Sequence, residues 1–272
     1  MIRKMMHAGT FYPRFPAQIL RQIDTWLKDS TPFKTEERTL GMLLPHAGYI
    51  YSGHCASLGL ASMTHELIDS FIILHPSHHG AHFDFSVSPY TEYETPLGNI
   101  ALDSKIYNQL SKEANQNVAL HFHQEEHSLE IQLPLLKHFF PQATICPVMI
   151  GNQVPPVSER LAEILYDLIS KSGRRIVVLV SSDLSHYHTS HKAEEMDSMV
   201  AKYFMDLAPE ALWQADQEGQ VEACGIGGIL CLLYFALHYT TKNPKIVYYT
   251  HSGKVSGNNS QVVGYLAAKI TN

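Results

Sequence analysis

The sequence predicts a single α/β domain spanning residues 1–272, with a central, mostly parallel or mixed sheet flanked by helices. Two observations carry that class. Short, wholly apolar runs of strand length alternate with longer stretches of helical periodicity from one end of the chain to the other. No linker, low-complexity segment or internal repeat interrupts the alternation, and 272 residues are enough for one sizeable core. A third observation concerns where the runs end. Residues 43–44, 72–74 and 177–180 run into Pro45-His46-Ala47-Gly48, His75-Pro76-Ser77-His78-His79-Gly80 and Ser181-Ser182-Asp183-Leu184-Ser185-His186. In open α/β sheets ligands gather beyond the carboxyl ends of the strands, so these three ends are expected to meet in one site.

The elements follow in order. Pro16 suits the first position of a helix whose Leu20, Ile23, Trp26 and Leu27 keep helical spacing. Residues 28–38 are polar and proline-containing and read as a loop, followed by a strand over 40–44. Ser52 is placed to cap a helix of small residues through Ala61, which returns the chain to a strand over 71–74 and begins a right-handed βαβ unit. Residues 83–89 and 93–101 read as short extended pieces around Thr95-Pro96-Leu97-Gly98. Asp103 caps a helix carrying Ile106, Tyr107 and Leu110. A helix starting near Glu126 carries Leu129, Leu133 and Leu136, with Pro134 kinking or confining it. Then come a strand (144–150), a helix (158–169), a strand (175–180), helices over 192–206 and 209–218, a buried helix over 229–239, and closing strands over 246–250 and 261–268.

Composition narrows the function classes. Twenty basic residues against 26 acidic give a net charge of −6 with no basic block, which argues against a nucleic-acid backbone as partner. Cys55, Cys146, Cys224 and Cys231 show no C-x-x-C spacing and fit a reducing, cytoplasmic setting better than a disulfide framework. The longest apolar run, 229–237, is too short to span a bilayer, so no membrane role is expected. Seventeen histidines, many directly after apolar runs, point to metal or proton chemistry.

Each candidate has a plain alternative. His46 can be a ligand or a hydrogen-bonded turn residue. Of His78 and His79, which point different ways in a loop, at most one should reach a given ion. Asp183, three residues before His186, can orient a proton-handling imidazole or cap the next turn. Cys224 precedes a glycine-rich turn that opens a helix, where a thiol is expected to ionise more readily; Glu222 competes with it for any ligand role. His123-Gln124-Glu125-Glu126-His127 fits H-x-x-E-H, the inverted zinc-protease pattern, but that chemistry needs one helix through both histidines.

Several motifs in one order extend over nearly the whole chain: His7-Ala8-Gly9-Thr10-Phe11-Tyr12, Pro45-His46-Ala47-Gly48-Tyr49, Pro76-Ser77-His78-His79, Thr95-Pro96-Leu97, Glu126-His127-Ser128-Leu129-Glu130, Ser181-Ser182-Asp183 with His186, and Cys224-Gly225. With them the chain resembles the Memo family, whose microbial members are called AmmeMemoRadiSam system protein B, and more distantly the class III extradiol dioxygenases. The resemblance implies a dioxygenase-like fold in which His46, His78 and Cys224 surround one metal ion. It implies that His186 and Asp183 handle protons nearby and that His127 lines the pocket. The dioxygenase relatives hold iron(II) with two histidines and a carboxylate; a cysteine in the third place is softer and lets copper or zinc compete. The expected ion is iron(II) or copper, with zinc behind them, and the expected function is metal-binding and redox or oxygenase-like. The alternatives are a non-catalytic protein that binds a peptide or small molecule in the same pocket and, behind it, a zinc-dependent hydrolase. No Arg-rich anion pocket supports the peptide role.

Overall fold

A computed structural model of the chain describes residues 1–28, 37–115 and 118–272. The expected loop over 28–38 lies largely outside the described residues. In chain order the elements are β1 (Ile2–Arg3), α1 (Pro16–Leu27), β2 (Thr39–Leu44), α2 (Tyr49–Ala61), β3 (Ser70–Pro76), β4 (Phe85–Val87), β5 (Glu92–Tyr93) and β6 (Ile100–Ala101). They continue with α3 (Ser104–Leu110), α4 (Leu120–Glu125), α5 (His127–Glu130), α6 (Gln132–Phe139), β7 (Thr144–Ile150), α7 (Pro155–Ser172), β8 (Ile176–Ser181) and β9 (His186–His188). The last are α8 (Ser190–Met205), α9 (Pro209–Gln217), α10 (Ile226–Leu237), β10 (Asn243–His251), α11 (Gly253–Ser256) and β11 (Val262–Thr271).

The main sheet has the order β10-β11-β2-β8-β3-β7-β4. It is mixed: β2, β8, β3 and β7 are parallel, while β11, β10 and β4 are antiparallel to their neighbours. The central strands are apolar throughout because both faces are covered, so alternate residues enter different cores. Leu43, Ile72, Leu74, Val178 and Val180 face a core with α7 and α10; Met42, Leu44, Ile73, Val177 and Leu179 face one with α2 and α6. The three strands expected to end in a site, β2, β8 and β3, are consecutive neighbours. β1, β5 and β6 form a separate small sheet. No helix is long and apolar enough to cross a membrane among the described residues.

Two local expectations change. Gly48, not Ser52, precedes the first turn of α2; the Ser52 hydroxyl lies inside that turn and donates back to the Ala47 carbonyl at 2.8 Å. The helix expected from Glu126 is two pieces, α5 and α6, meeting at Ile131, and α4 precedes them. Pro134 supplies the reason, since it has no N–H to donate to the carbonyl four residues earlier. β9, with its positive-φ Tyr187, carries no sequence signal.

Candidate metal centre

His46 stands in the turn between β2 and α2. Its backbone N–H donates to Asp183 Oδ1 at 2.7 Å, and the Ala47 N–H donates to the same oxygen at 3.2 Å. Asp183 therefore caps a turn, but the one that carries His46 rather than its own. The ring orientation follows from a second set of bonds. Ser181 Oγ donates its single proton to the Ser128 carbonyl at 2.7 Å and accepts from Gln132 Nε2 at 2.9 Å. His46 Nδ1, 3.0 Å from that oxygen, must be the donor, which leaves Nε2 as a lone pair pointing into the pocket. Burial and the nearby His78 charge bring the His46 ring down to about 3, so it is neutral at physiological pH.

His78 follows β3 and is held from both sides by Glu126. Its backbone N–H donates to Glu126 Oε2 and its Nδ1 to Oε1, each at 2.7 Å, so its Nε2 is the free acceptor. Glu126 is fully buried and also accepts from the Ser128 backbone and hydroxyl. Burial alone would raise its carboxyl, but the His78 hydrogen bonds and charge outweigh that and hold it well below the usual carboxylate range. His79 stacks over Phe122 instead, with ring centroids 6.4 Å apart.

Cys224 lies before α10, over the end of β8. Its Sγ is 3.2 Å from His46 Nε2 and accepts the Asp183 backbone N–H at 3.3 Å. The glycine turn does not surround the sulfur with amides: the Gly225 N–H donates to Ser182 Oγ at 2.8 Å and the Gly227 N–H to Gln153 Oε1 at 3.0 Å. With those amides spent elsewhere, burial and the Asp183 charge push the thiol up, so the expected lowering is corrected. Gly225 is needed for the approach, because a Cβ there would meet the Ser181 carbonyl at 2.7 Å.

His46, His78 and Cys224 thus place one donor atom each within 4.8 Å of one another. Glu222 is directed elsewhere: its carboxylate accepts the His186 backbone N–H at 3.0 Å and pairs with His188 Nε2 at 2.9 Å. His186, three residues after Asp183, opens β9 and pairs there with Val263 of β11. Burial pushes Asp183 up to about 6 against its hydrogen bonds from His46 and Ala47. His127 forms a wall, its ring 4.4 Å from that of His78 and 5.1 Å from that of Phe11, and burial brings it down to about 3. A second set of donors, His78, Glu126 and His127, overlaps the first.

The H-x-x-E-H pattern forms no zinc-protease site. His123 and His127 belong to different helices, Glu126 between them is extended, and His123 Nε2 faces Ser86 Oγ at 3.0 Å. The supporting residues Glu126, Ser128, Ser181 and Gln132 were not expected in these roles. Only Glu126 gave a signal, as an acid just ahead of a helix.

A family model described as Memo-like protein matches residues 3–269. A MEMO1 family protein of Sulfurisphaera tokodaii is 35% identical over 283 residues, covering 99% of both chains. Another from Sulfolobus acidocaldarius is 36% identical over 282 residues, with the same coverage. An uncharacterised protein from Escherichia coli K12 has a solved structure that matches 84% of this chain and 99% of its own, with a TM-score of 0.46 and 15% identity.

Proposed function

Because the chain belongs to the Memo family, we propose that it is a metal-binding protein of redox or oxygenase-like function whose single ion is held by His46, His78 and Cys224. The observation that carries this reading is the convergence of three donors from three separate elements, with both imidazole lone pairs turned inward by hydrogen bonds on their far sides. The residues fit an ion. Two imidazole nitrogens and a thiol sulfur suit iron(II) or copper, and zinc is compatible with the same set. When bound, the ion would supply Lewis acidity and, as iron or copper, redox chemistry.

The chain's own residues do the remainder. Cys224 gives up its proton on ligation, so uptake of the ion releases a proton and strengthens as pH rises. Asp183 fixes two donors at once, accepting from the His46 turn and donating its own backbone N–H to the Cys224 sulfur. His186, with its backbone anchored on Glu222, would take or give a proton at a substrate beside the ion. His127 and Phe11 form an aromatic wall against which a small molecule or peptide side chain can rest.

Calorimetric titration with iron(II), copper and zinc tests the reading. The wild type should take up one equivalent, and a His46→Ala, His78→Ala double variant should not. Equal binding by the two proteins would remove the site. A copper(II) or cobalt(II) form should show an intense sulfur-to-metal charge-transfer band that Cys224→Ser loses and Glu222→Gln keeps.

A further inference from the structure

The small sheet of β1, β5 and β6 has no part in the metal centre, and one break in the chain beside the pocket has no local cause. Residues 120–130 contain neither glycine nor proline, so nothing in their own sequence stops one helix from running through them. They divide nonetheless into α4 and α5, with Glu126 extended between (φ −71°, ψ 118°). The division serves His78. With the chain extended there, the Glu126 carboxylate caps α5, accepting the Ser128 N–H at 3.0 Å, and the same group holds the backbone and ring of His78.

The cause is a contact from β1. Arg3 is buried, and its Nε donates to the His123 carbonyl at 2.9 Å while its Nη2 donates to the carbonyls of Gln124 at 2.8 Å and Glu126 at 2.9 Å. In an unbroken helix the first two carbonyls would accept the N–H groups of His127 and Ser128, four residues on. Arg3 takes their place, which ends α4 and frees the Ser128 N–H for Glu126. The guanidinium is itself fixed, since its Nη1 donates to Glu130 Oε2 of α5 at 2.6 Å, a pair of charges with side chains 1% and 0% exposed. Arg3 thus joins the end of one helix to the body of the next.

We propose that Arg3 is a positioning residue for His78: it holds α4 and α5 apart, and the break so held aims the Glu126 carboxylate at that ring and its backbone. The planar fork is essential, because three carbonyls and a carboxylate are met at once by one rigid group. Without it the carbonyls of His123 and Gln124 return to the chain's own N–H groups, residues 120–130 wind on as one helix, and Glu126 turns off His78. That continuous helix is the arrangement H-x-x-E-H describes, with His123 and His127 one turn apart on one face. Arg3 is therefore also what keeps the pattern from forming. His46 is independent of this device, since its supports are Ser181 and Asp183.

The effect on an ion rests on the metal-centre reading, whereas the hold on His78 belongs to the metal-free protein and is measured there. Arg3→Lys keeps the charge beside Glu130 but cannot reach three carbonyls. In metal-free protein labelled with nitrogen-15 histidine, this variant should lose the downfield His78 Nδ1–H signal that the bond to the Glu126 carboxylate produces. The His46 ring should keep its signal, which a general loosening of the fold would not allow. Affinity for zinc should fall roughly tenfold or more. A second substitution isolates the cause: His127→Pro removes the N–H that an unbroken helix would give the His123 carbonyl, and proline suits the first position of α5. In that background the break holds without Arg3, so Arg3→Lys should cost no more than about twofold. If Arg3→Lys folds poorly, Glu130→Gln, which removes the anchor of the guanidinium, should weaken the His78 signal in the same way. A His78 signal that stays in place in both variants, or moves together with that of His46, would overturn the proposal. So would an equal loss of zinc affinity in the two backgrounds. If the ring signals behave as expected while the wild type takes up no ion, Arg3 keeps its role toward His78 and the metal-centre reading alone falls.

Discussion

The two edges of the parallel sheet treat buried acids in opposite ways. At the amino ends of β2 and β8, Glu66 meets the Arg175 guanidinium and accepts from the Thr39 backbone and hydroxyl; next to them, Asp103 pairs with Arg174 at 2.7 Å, accepts from Thr144 and caps α3. At the carboxyl ends, Asp183 and Glu126 accept only from backbone N–H groups, a serine hydroxyl and histidine rings, with no Lys or Arg among their described partners. Arg3 comes near but spends its guanidinium on the Glu130 carboxylate and on backbone carbonyls. One edge is electrically closed and serves the fold. The other keeps anionic and lone-pair character facing inward, which is the condition a cation needs.

The sharpest break of this contrast is substitution at each edge. Cys224→Ala should weaken binding of the ion by a factor on the order of a thousand while leaving the metal-free melting temperature unchanged or higher, since no charge or cap is lost. Glu66→Ala should do the reverse, costing about 3–5 kcal/mol of stability by stranding Arg175, with affinity of the folded fraction unaltered. Calorimetry beside denaturant melts reads both, and a Cys224→Ala protein of full affinity would erase the distinction.

Acid should distinguish the edges next. His46, His75, His123 and His127 have folded-state values brought down to between about 3 and about 4 by burial, below the ordinary 6.5. The unfolded chain therefore binds protons first, and stability falls as pH drops below about 6.5 until the folded values are reached. Asp183, raised to about 6, acts in the opposite sense, its contribution being lost as pH rises from 3.8 to about 6, and Asp197 and Asp216, also raised by burial, act with it, but the lowered histidines, with His54 and His138 among them, outnumber these three. Glu66 and Asp103, both lowered, lose their contribution only at lower pH. The slope of stability between pH 6.5 and 5 thus belongs to the histidines, and His127→Asn should flatten it in urea melts. An unchanged slope would place the acid sensitivity elsewhere.

Smaller effects test the supports. Glu126→Gln keeps the shape but loses the anionic acceptor of His78, and should cost roughly 10–100-fold in affinity for the ion. Ser181→Ala, which removes a neutral acceptor from His46, should cost less. If the two prove equal, charge is not what distinguishes the two histidine supports.

Much of this was legible in the sequence. An apolar run ending in His46 or in the His78 loop announces a buried strand and its exit, and the rule that ligands gather beyond the carboxyl ends of parallel strands called for the three ends to meet; that β8 lies between β2 and β3 was not legible. Cys224 was legible as a candidate, but not its chemistry: the amides of the turn that follows it are taken by Ser182 and Gln153, a choice made by tertiary contact. The same holds for Glu126, whose bond to His78 spans 48 positions, and for Arg3 and Glu130, joined across 127. Periodicity reports which way a side chain faces, and it carries nothing about which distant partner waits there.

The pairing of His46 with Cys224 across 178 positions has a consequence for how the protein matures. No local hairpin or helix pair contains the donor set, and loop closure on that scale comes late because its entropy must be met before the contact gives anything back. A nascent chain emerging from the ribosome has made His46 and His78 but not Cys224, so it offers an ion two loosely held imidazoles and no thiol. On the proposed reading loading follows folding, and ion supply should leave the refolding rate untouched while setting only how much of the finished protein is occupied.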